Sequence, residues 1–220
     1  MKKITEHVYS LVFNSVEENC YILIDKDTQE AAIVDPGCMN EEENAELVLA
    51  IEQLKAKPVL LLLTHLHFDH IWGASFVARQ WKLTPYAHAD EIAFMPTLSE
   101  QLRAYCIGLP KDYQEVSFKS LPSDTPLYYG KSYLEARFVP GHTIGHVAYY
   151  NTIEKFLLSG DVLFYESIGR TDLQGGNYKT LIQSIQNEIF SLPDDTLVLP
   201  GHGIATSVGH EKKNNPFLLQ

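Results

Sequence analysis

The stretch Val59-Leu60-Leu61-Leu62-Leu63-Thr64-His65-Leu66-His67-Phe68-Asp69-His70 decides how the rest of the chain is read. Its first five residues form an unbroken aliphatic run, the pattern of a strand buried on both faces. Directly after that run the chain places His65, His67, Asp69 and His70 in one turn. The same arrangement recurs further along. His142 follows Phe138-Val139 through Pro140-Gly141, Asp161 follows Phe156-Leu157-Leu158 through Ser159-Gly160, and His202 follows Leu197-Val198-Leu199 through Pro200-Gly201. Glycine and proline let the backbone turn sharply, and a rigid sheet holds groups on such turns in place. The pattern predicts one cluster at a single edge of a sheet assembly.

Five His and two Asp exceed what one tetrahedral zinc takes, and a catalytic zinc uses about three protein ligands plus water. Two divalent metal ions are therefore expected, with His65, His67 and His142 on one and Asp69, His70 and His202 on the other. Asp161 is left as the carboxylate able to bridge them. Imidazoles and carboxylates without thiolate suit Zn, and equally Fe or Mn. A metal pair about 3.5–4 Å apart holds a bridging water whose pKa falls toward roughly 7. His146, on the strand after His142, is expected to hydrogen-bond behind a ligand, and Asp35 in Asp35-Pro36-Gly37 either turns that corner or orients a ligand histidine. His7, His88 and His210 have no such context.

Outside these turns the chain is ordinary in composition. Its 220 residues suffice for a substantial core, and 45% hydrophobic against 20% charged residues excludes disorder, collagen and a disulfide miniprotein. A formal net charge of −11 with no long basic run argues against nucleic acid or a membrane surface as partner. No apolar stretch follows the N-terminal lysines, so a cytoplasmic location is expected. The three cysteines, Cys20, Cys38 and Cys106, form no paired motif and read as small buried hydrophobes in a reducing compartment.

Strands are expected over 8–13, 19–25 and 31–34, then a helix over 41–55 with Leu47, Val48, Ile51 and Leu54 on one face. A helix over 71–81 and a helical stretch over 91–107, broken at Pro96, follow. Residues 109–126 read as an irregular surface segment. Strands over 133–139, 146–150, 156–158 and 196–199 flank a helix over 178–190. Tyr128, Tyr129, Tyr149 and Tyr150 read as core. The alternation of strand groups and single helices predicts an α+β fold, two sheets face to face with helices outside, in one domain spanning 1–220.

Asp35-Pro36-Gly37, the turn 64–70, the turn 140–146, Ser159-Gly160-Asp161 and Pro200-Gly201-His202-Gly203 together resemble the metallo-β-lactamase superfamily over nearly the whole chain. The resemblance implies an αββα sandwich and a binuclear site with the ligand division given above. Within that superfamily the order is most similar to short bacterial glyoxalase II, the hydroxyacylglutathione hydrolases, on the segments 167–173 and 211–218. Longer members carry a C-terminal helical domain that holds glutathione. Only eighteen residues follow His202, so that domain is expected to be absent, and Gly203 and Ile204 stand where those members carry a tyrosine. Arg170 lies where a basic residue contacts glutathione in the longer enzymes and is a candidate substrate clamp, with a salt bridge to Asp172 or a neighbour as the competing role.

The implied activity is hydrolysis of a small-molecule thioester such as S-D-lactoylglutathione by a metal-bridging hydroxide, with Asp69 and Asp161 as the catalytic carboxylates. An iron-dependent persulfide dioxygenase shares these motifs and is the competitor from another reaction class. A superfamily lactonase stays open, whereas a superfamily nuclease is disfavoured by the charge.

Overall fold

Alternation along the strands builds the sandwich. In the computed structural model, which describes residues 1–109, 113–123 and 125–219, the first sheet has the order β1 (Lys2–Lys3), β2 (Val8–Phe13), β3 (Glu18–Ile24), β4 (Glu30–Val34), β5 (Lys57–Leu62), β6 (Pro85–Ala87) and β7 (Lys119–Ser120). Strands β1 to β4 run antiparallel, and β4 to β7 are parallel. Tyr21, Leu23, Val34, Leu60 and Leu62 face one way, while Cys20, Ile22, Ile33 and Leu61 face the other. A strand shows successive side chains to opposite faces, so each set serves a different layer.

The second sheet has the order β15-β14-β11-β10-β9-β8. Its strands are β8 (Leu127–Tyr129), β9 (Ser132–Phe138), β10 (Val147–Asn151), β11 (Phe156–Gly160), β14 (Leu197–Pro200) and β15 (Thr206–Ser207). A separate ribbon pairs β12 (Leu163–Phe164) with β13 (Ser167–Ile168). Val147, Tyr149, Phe156, Leu158 and Leu199 meet the inner residues of the first sheet in one core.

Helices cover both outer faces. Helix α1 (Glu41–Leu54) and α3 (Ala74–Trp81) lie on the first sheet through Leu47, Ile51 and Val77. Asn40 caps α1 by accepting from the Glu43 amide, and Lys55 ends it in the left-handed region. On the second sheet, α6 (Tyr178–Ser184), a π-helical turn (Ile185–Ile189) and α7 (Val208–Asn214) bury Leu181, Ile185, Ile189 and Val208. This is the four-layer αββα arrangement that the sequence predicts.

The differences from expectation are local. The strand over 59–63 is buried on both faces only at its C-terminal end, because Val59 is 41% exposed. The helix expected over 71–81 divides at Gly73 into α2 (Phe68–Ile71) and α3. There a Cβ would overlap Cys38 Sγ, and the Gly73 amide donates to Pro36 O. The stretch over 91–107 separates into α4 (Ala89–Phe94) and α5 (Leu98–Ala104) around Pro96, as expected. Part of the segment 109–126, residues 110–112 and 124, lies outside the described residues. Of the rest, β7 is paired, and Tyr113, Val116 and Phe118 pack on a core cluster, so it is less irregular than its prolines suggest. Cys20 and Cys38 are buried, but Cys106 is exposed. Tyr129, Tyr149 and Tyr150 are core and Tyr128 is exposed. No helix among the described residues is long and apolar enough to cross a membrane.

Candidate metal centre

The C-terminal ends of β5, β11 and β14 and the β9–β10 connection meet at one edge, and hydrogen bonds between and within the sheets fix their approach. Thr64 O accepts from the Val147 amide, Leu63 O from Tyr149 Oη, and Gly160 O from the Gly201 amide. From the first sheet, the Asn19 amide donates to Gly201 O at 2.7 Å, and Tyr21 Oη donates to Pro200 O at 2.7 Å. Gly201 is required there, since a Cβ would overlap Asp161 Oδ1 and crowd His70 Cε1 at 2.7 Å. Gly160 has φ +49°, and a Cβ on it would sit 2.6 Å from Thr64 Oγ1.

All the sequence-predicted ligand candidates come together. Side-chain atoms of His65, His67 and His142 lie within 4.8 Å of one another, as do those of Asp69, His70 and His202 and those of His65, His70 and Asp161. Asp161 lies between the groups: Oδ1 is 3.4 Å from His70 Nε2, and Oδ2 is 3.7 Å from both His142 Nε2 and His202 Nε2. Asp69 Oδ2 is 3.2 Å from His202 Nε2. Among the described residues, His65 Nε2, His70 Nε2 and Asp161 Oδ1 are buried without a hydrogen bond. Buried polar atoms are normally paired, and orphaned lone pairs of this kind converging on one point fit divalent cations.

The far side of four of the five rings is occupied, and His67 Nδ1 instead lies 2.9 Å from His142 Nε2 within the cluster. Thr64 donates from both N and Oγ1 to Asp35 at 2.7 Å, and His65 Nδ1 lies 3.0 Å from that hydroxyl. With its single proton spent on Asp35, the hydroxyl accepts from His65 Nδ1, which leaves Nε2 for the cluster. His70 Nδ1 donates to Asp35 Oδ2 at 3.2 Å, His142 Nδ1 to Arg170 O at 2.8 Å, and His202 Nδ1 to Val16 O at 2.9 Å. Asp35 therefore orients two histidines besides turning its corner. His146, fully buried, accepts from the Asp161 amide at 3.1 Å and so holds the Asp161 turn from behind.

Charge divides the cluster. Burial, then neighbouring imidazoles, pushes His65 well below the ordinary histidine range, and burial with His142 beside it lowers His67 to about 3. Burial also opposes charge on His70, but Asp161 and Asp69 outweigh it and hold its proton more tightly than usual. Asp161 is driven down despite its burial because His70, His142 and His202 surround it. Cations entering here meet neutral imidazoles on one side and ionised carboxylates on the other, and they compete with a proton only at His70 and His202.

Two buried acids had escaped the sequence reading. Glu91, on α4, accepts from the Leu66 amide at 3.0 Å and the Gly145 amide at 2.8 Å, tying the His65–His67 turn to the His142–His146 turn. Glu18 begins β3 opposite His202, and among the described residues both its carboxyl oxygens lack a hydrogen bond; burial pushes its pKa up, against the charged form. Neither stands beside a Gly-Pro turn or in a ligand spacing, so no local signal marked them. Arg170 is exposed, and its guanidinium is paired to Asp172 at 2.8 and 2.9 Å.

The metallo-β-lactamase superfamily model matches residues 16–202, and the chain belongs to that superfamily. It is similar to Bacillus subtilis "Probable metallo-hydrolase YqgX", 38% identical over 92% of this chain and 93% of the relative. The Haemophilus influenzae hydroxyacylglutathione hydrolase GloC is 34% identical over 92% of this chain and 93% of that one. Among solved structures, the BLEG-1 B3 metallo-β-lactamase superposes with a TM-score of 0.85 at 34% identity, covering 97% of this chain and 100% of its own. TTHA1623 in a di-iron-bound form gives 0.81 at 31% identity, covering 96% and 100%. These matches make the chain an enzyme of that metallo-hydrolase superfamily.

Proposed function

We propose that the protein is a binuclear hydrolase of thioesters, with S-D-lactoylglutathione as the prototype substrate. The observation that carries the reading is Asp161, whose two oxygens lie between the imidazole group and the Asp69 group at 3.4–3.7 Å. Similarity to a hydroxyacylglutathione hydrolase over 92% of the chain supports the thioester class. His65, His67 and His142 would hold one ion, Asp69, His70 and His202 the other, and Asp161 both. Bound there, divalent ions supply Lewis-acid polarisation of the acyl carbonyl and a water acidified to near neutrality.

The protein's part is positioning. Asp35, Thr64 and the carbonyls of Arg170 and Val16 fix the imidazole planes, and Glu91 fixes the spacing of two ligand turns. Asp69, only 9% exposed, keeps its carboxylate ionised because His70 and His202 outweigh the effect of burial. In this reading it accepts a proton from an attacking water. The test is hydrolysis of S-D-lactoylglutathione by zinc-, iron- or manganese-loaded protein, with Asp69→Ala as control. Metal-dependent kcat/KM of about 10⁴ M⁻¹s⁻¹ or more is expected. Oxygen uptake on glutathione persulfide with no thioester cleavage would move the assignment to a dioxygenase.

A further inference from the structure

A cleft of about 660 Å³ opens at His67 and is walled by Phe94, Met95, Tyr105 and Leu173, with Glu100 at its side. That volume lies in the range of small-molecule sites. Its wall is built into the metal centre. Tyr105 packs on Phe68 of the ligand turn with ring centroids 5.2 Å apart, and Gln101 Nε2 donates to Leu66 O at 2.7 Å and Pro96 O at 2.9 Å. Phe94 and Tyr105 nevertheless remain 42% and 53% exposed beside a polar cluster. Exposed aromatic surface held rigidly at the rim of a reactive site is surface for a ligand to cover.

The charges select the ligand. Among the described residues lining the cleft, Glu100 alone carries a formal charge. Its carboxylate accepts from the Thr97 amide and hydroxyl at 2.9 Å, which holds it ionised. The Arg170 guanidinium is spent on Asp172. Glutathione and phosphopantetheine carry carboxylates or phosphates, and the described residues lining the cleft include no Lys or Arg to hold them, so the charged thiol half of a thioester has no counter-charge there. The acyl half is what remains to enter.

We propose that the cleft is an acyl pocket and that the preferred substrates are thioesters whose acyl group is uncharged, apolar and larger than lactoyl. The inference rests on the hydrolase reading and refines it. The reaction is ordinary hydrolysis: water adds to the carbonyl carbon, the C–S bond breaks, and thiol and carboxylate leave.

The experiment holds the thiol constant and uncharged. The metal-loaded full chain is assayed with acetyl, butyryl, hexanoyl and octanoyl thioesters of N-acetylcysteamine, alongside S-D-lactoylglutathione. Burial of each added methylene should raise kcat/KM about two- to fourfold until the cleft is filled. Tyr105→Ala should flatten that dependence. Gln174→Lys, in the same wall and outside the α5 cap, should raise the ratio of glutaryl to hexanoyl thioester about tenfold. A ketone isostere of the octanoyl thioester should bind, by calorimetry, more tightly than the acetyl isostere. A flat or falling series from an enzyme that cleaves S-D-lactoylglutathione overturns the acyl pocket and leaves the hydrolase standing. Failure to cleave any of these thioesters overturns both.

Discussion

The ligand-bearing turns and the α4–α5 wall face the same space and are built by opposite means. Around the ligands nearly every side chain is buried and held from behind: His65 by Thr64, His70 by Asp35, the Asp161 turn by His146. The wall presents Phe94 and Tyr105 half-exposed, fastened to the turns at a few points. Reaction geometry must be accurate to fractions of an ångström, so the fold overdetermines it. Substrate choice needs only shape and polarity, so Phe94 and Tyr105 stay exposed at the ends of short helices whose inner faces pack through Leu98 and Leu102. The comparison teaches that chemistry and specificity belong to separately variable parts.

The sharpest way to break that division is to remove a central carboxylate. Asp161→Ala or Asp69→Ala should lower kcat beyond about a hundredfold, with bound metal measured by elemental analysis falling in parallel for Asp161→Ala. Full activity in a folded Asp69→Ala protein would defeat the proton-accepting role. Next comes Glu91→Gln, whose amide offers one acceptor where two backbone amides need partners. It should cost about 1–3 kcal/mol in urea unfolding and weaken metal retention in chelator competition.

A site far from the cluster separates stability from chemistry. Asp25 accepts from the amides of Thr28, Lys131 and Ser132. Burial works against its charge, but those bonds win and bring its pKa down to about 2. Because the folded value lies below the unfolded one of about 3.9, its contribution of about 2 kcal/mol is present above that pH and vanishes as pH falls toward 2. Asp25→Asn should therefore melt lower than the parent at pH 7, and the gap should close through that window, with kcat unchanged. The smallest effect is expected at the wall: Phe94→Ser should move unfolding stability by no more than about 0.5 kcal/mol while changing substrate preference.

Legibility follows the same line. Each candidate ligand was visible because a strand, a Gly or Pro turn and a ligating side chain are adjacent in sequence, and because the period-2 and helical patterns around them are local. Strand β2 coincides with its expected span 8–13, and α1 ends one residue short of the expected 41–55. Ligand spacing assigns the halves of the turn 64–70 to different ions, and Asp161 lies between the two groups of side chains. Glu91 and Glu18 were not legible. Their significance comes from contacts with residues such as Gly145 and His202, far along the chain, and nothing in their neighbours announces a buried acid. Cys106 was misjudged for the same reason, since exposure depends on what packs above a residue.

By itself, then, the sequence determined the αββα layers and the identities of the clustered side chains, because hydrophobic period and turn chemistry act over a few residues. Tertiary structure alone decided which acids lie buried among the turns and that Phe94 and Tyr105 stay uncovered beside His67. Those outcomes depend on how distant segments meet, which local pattern does not encode.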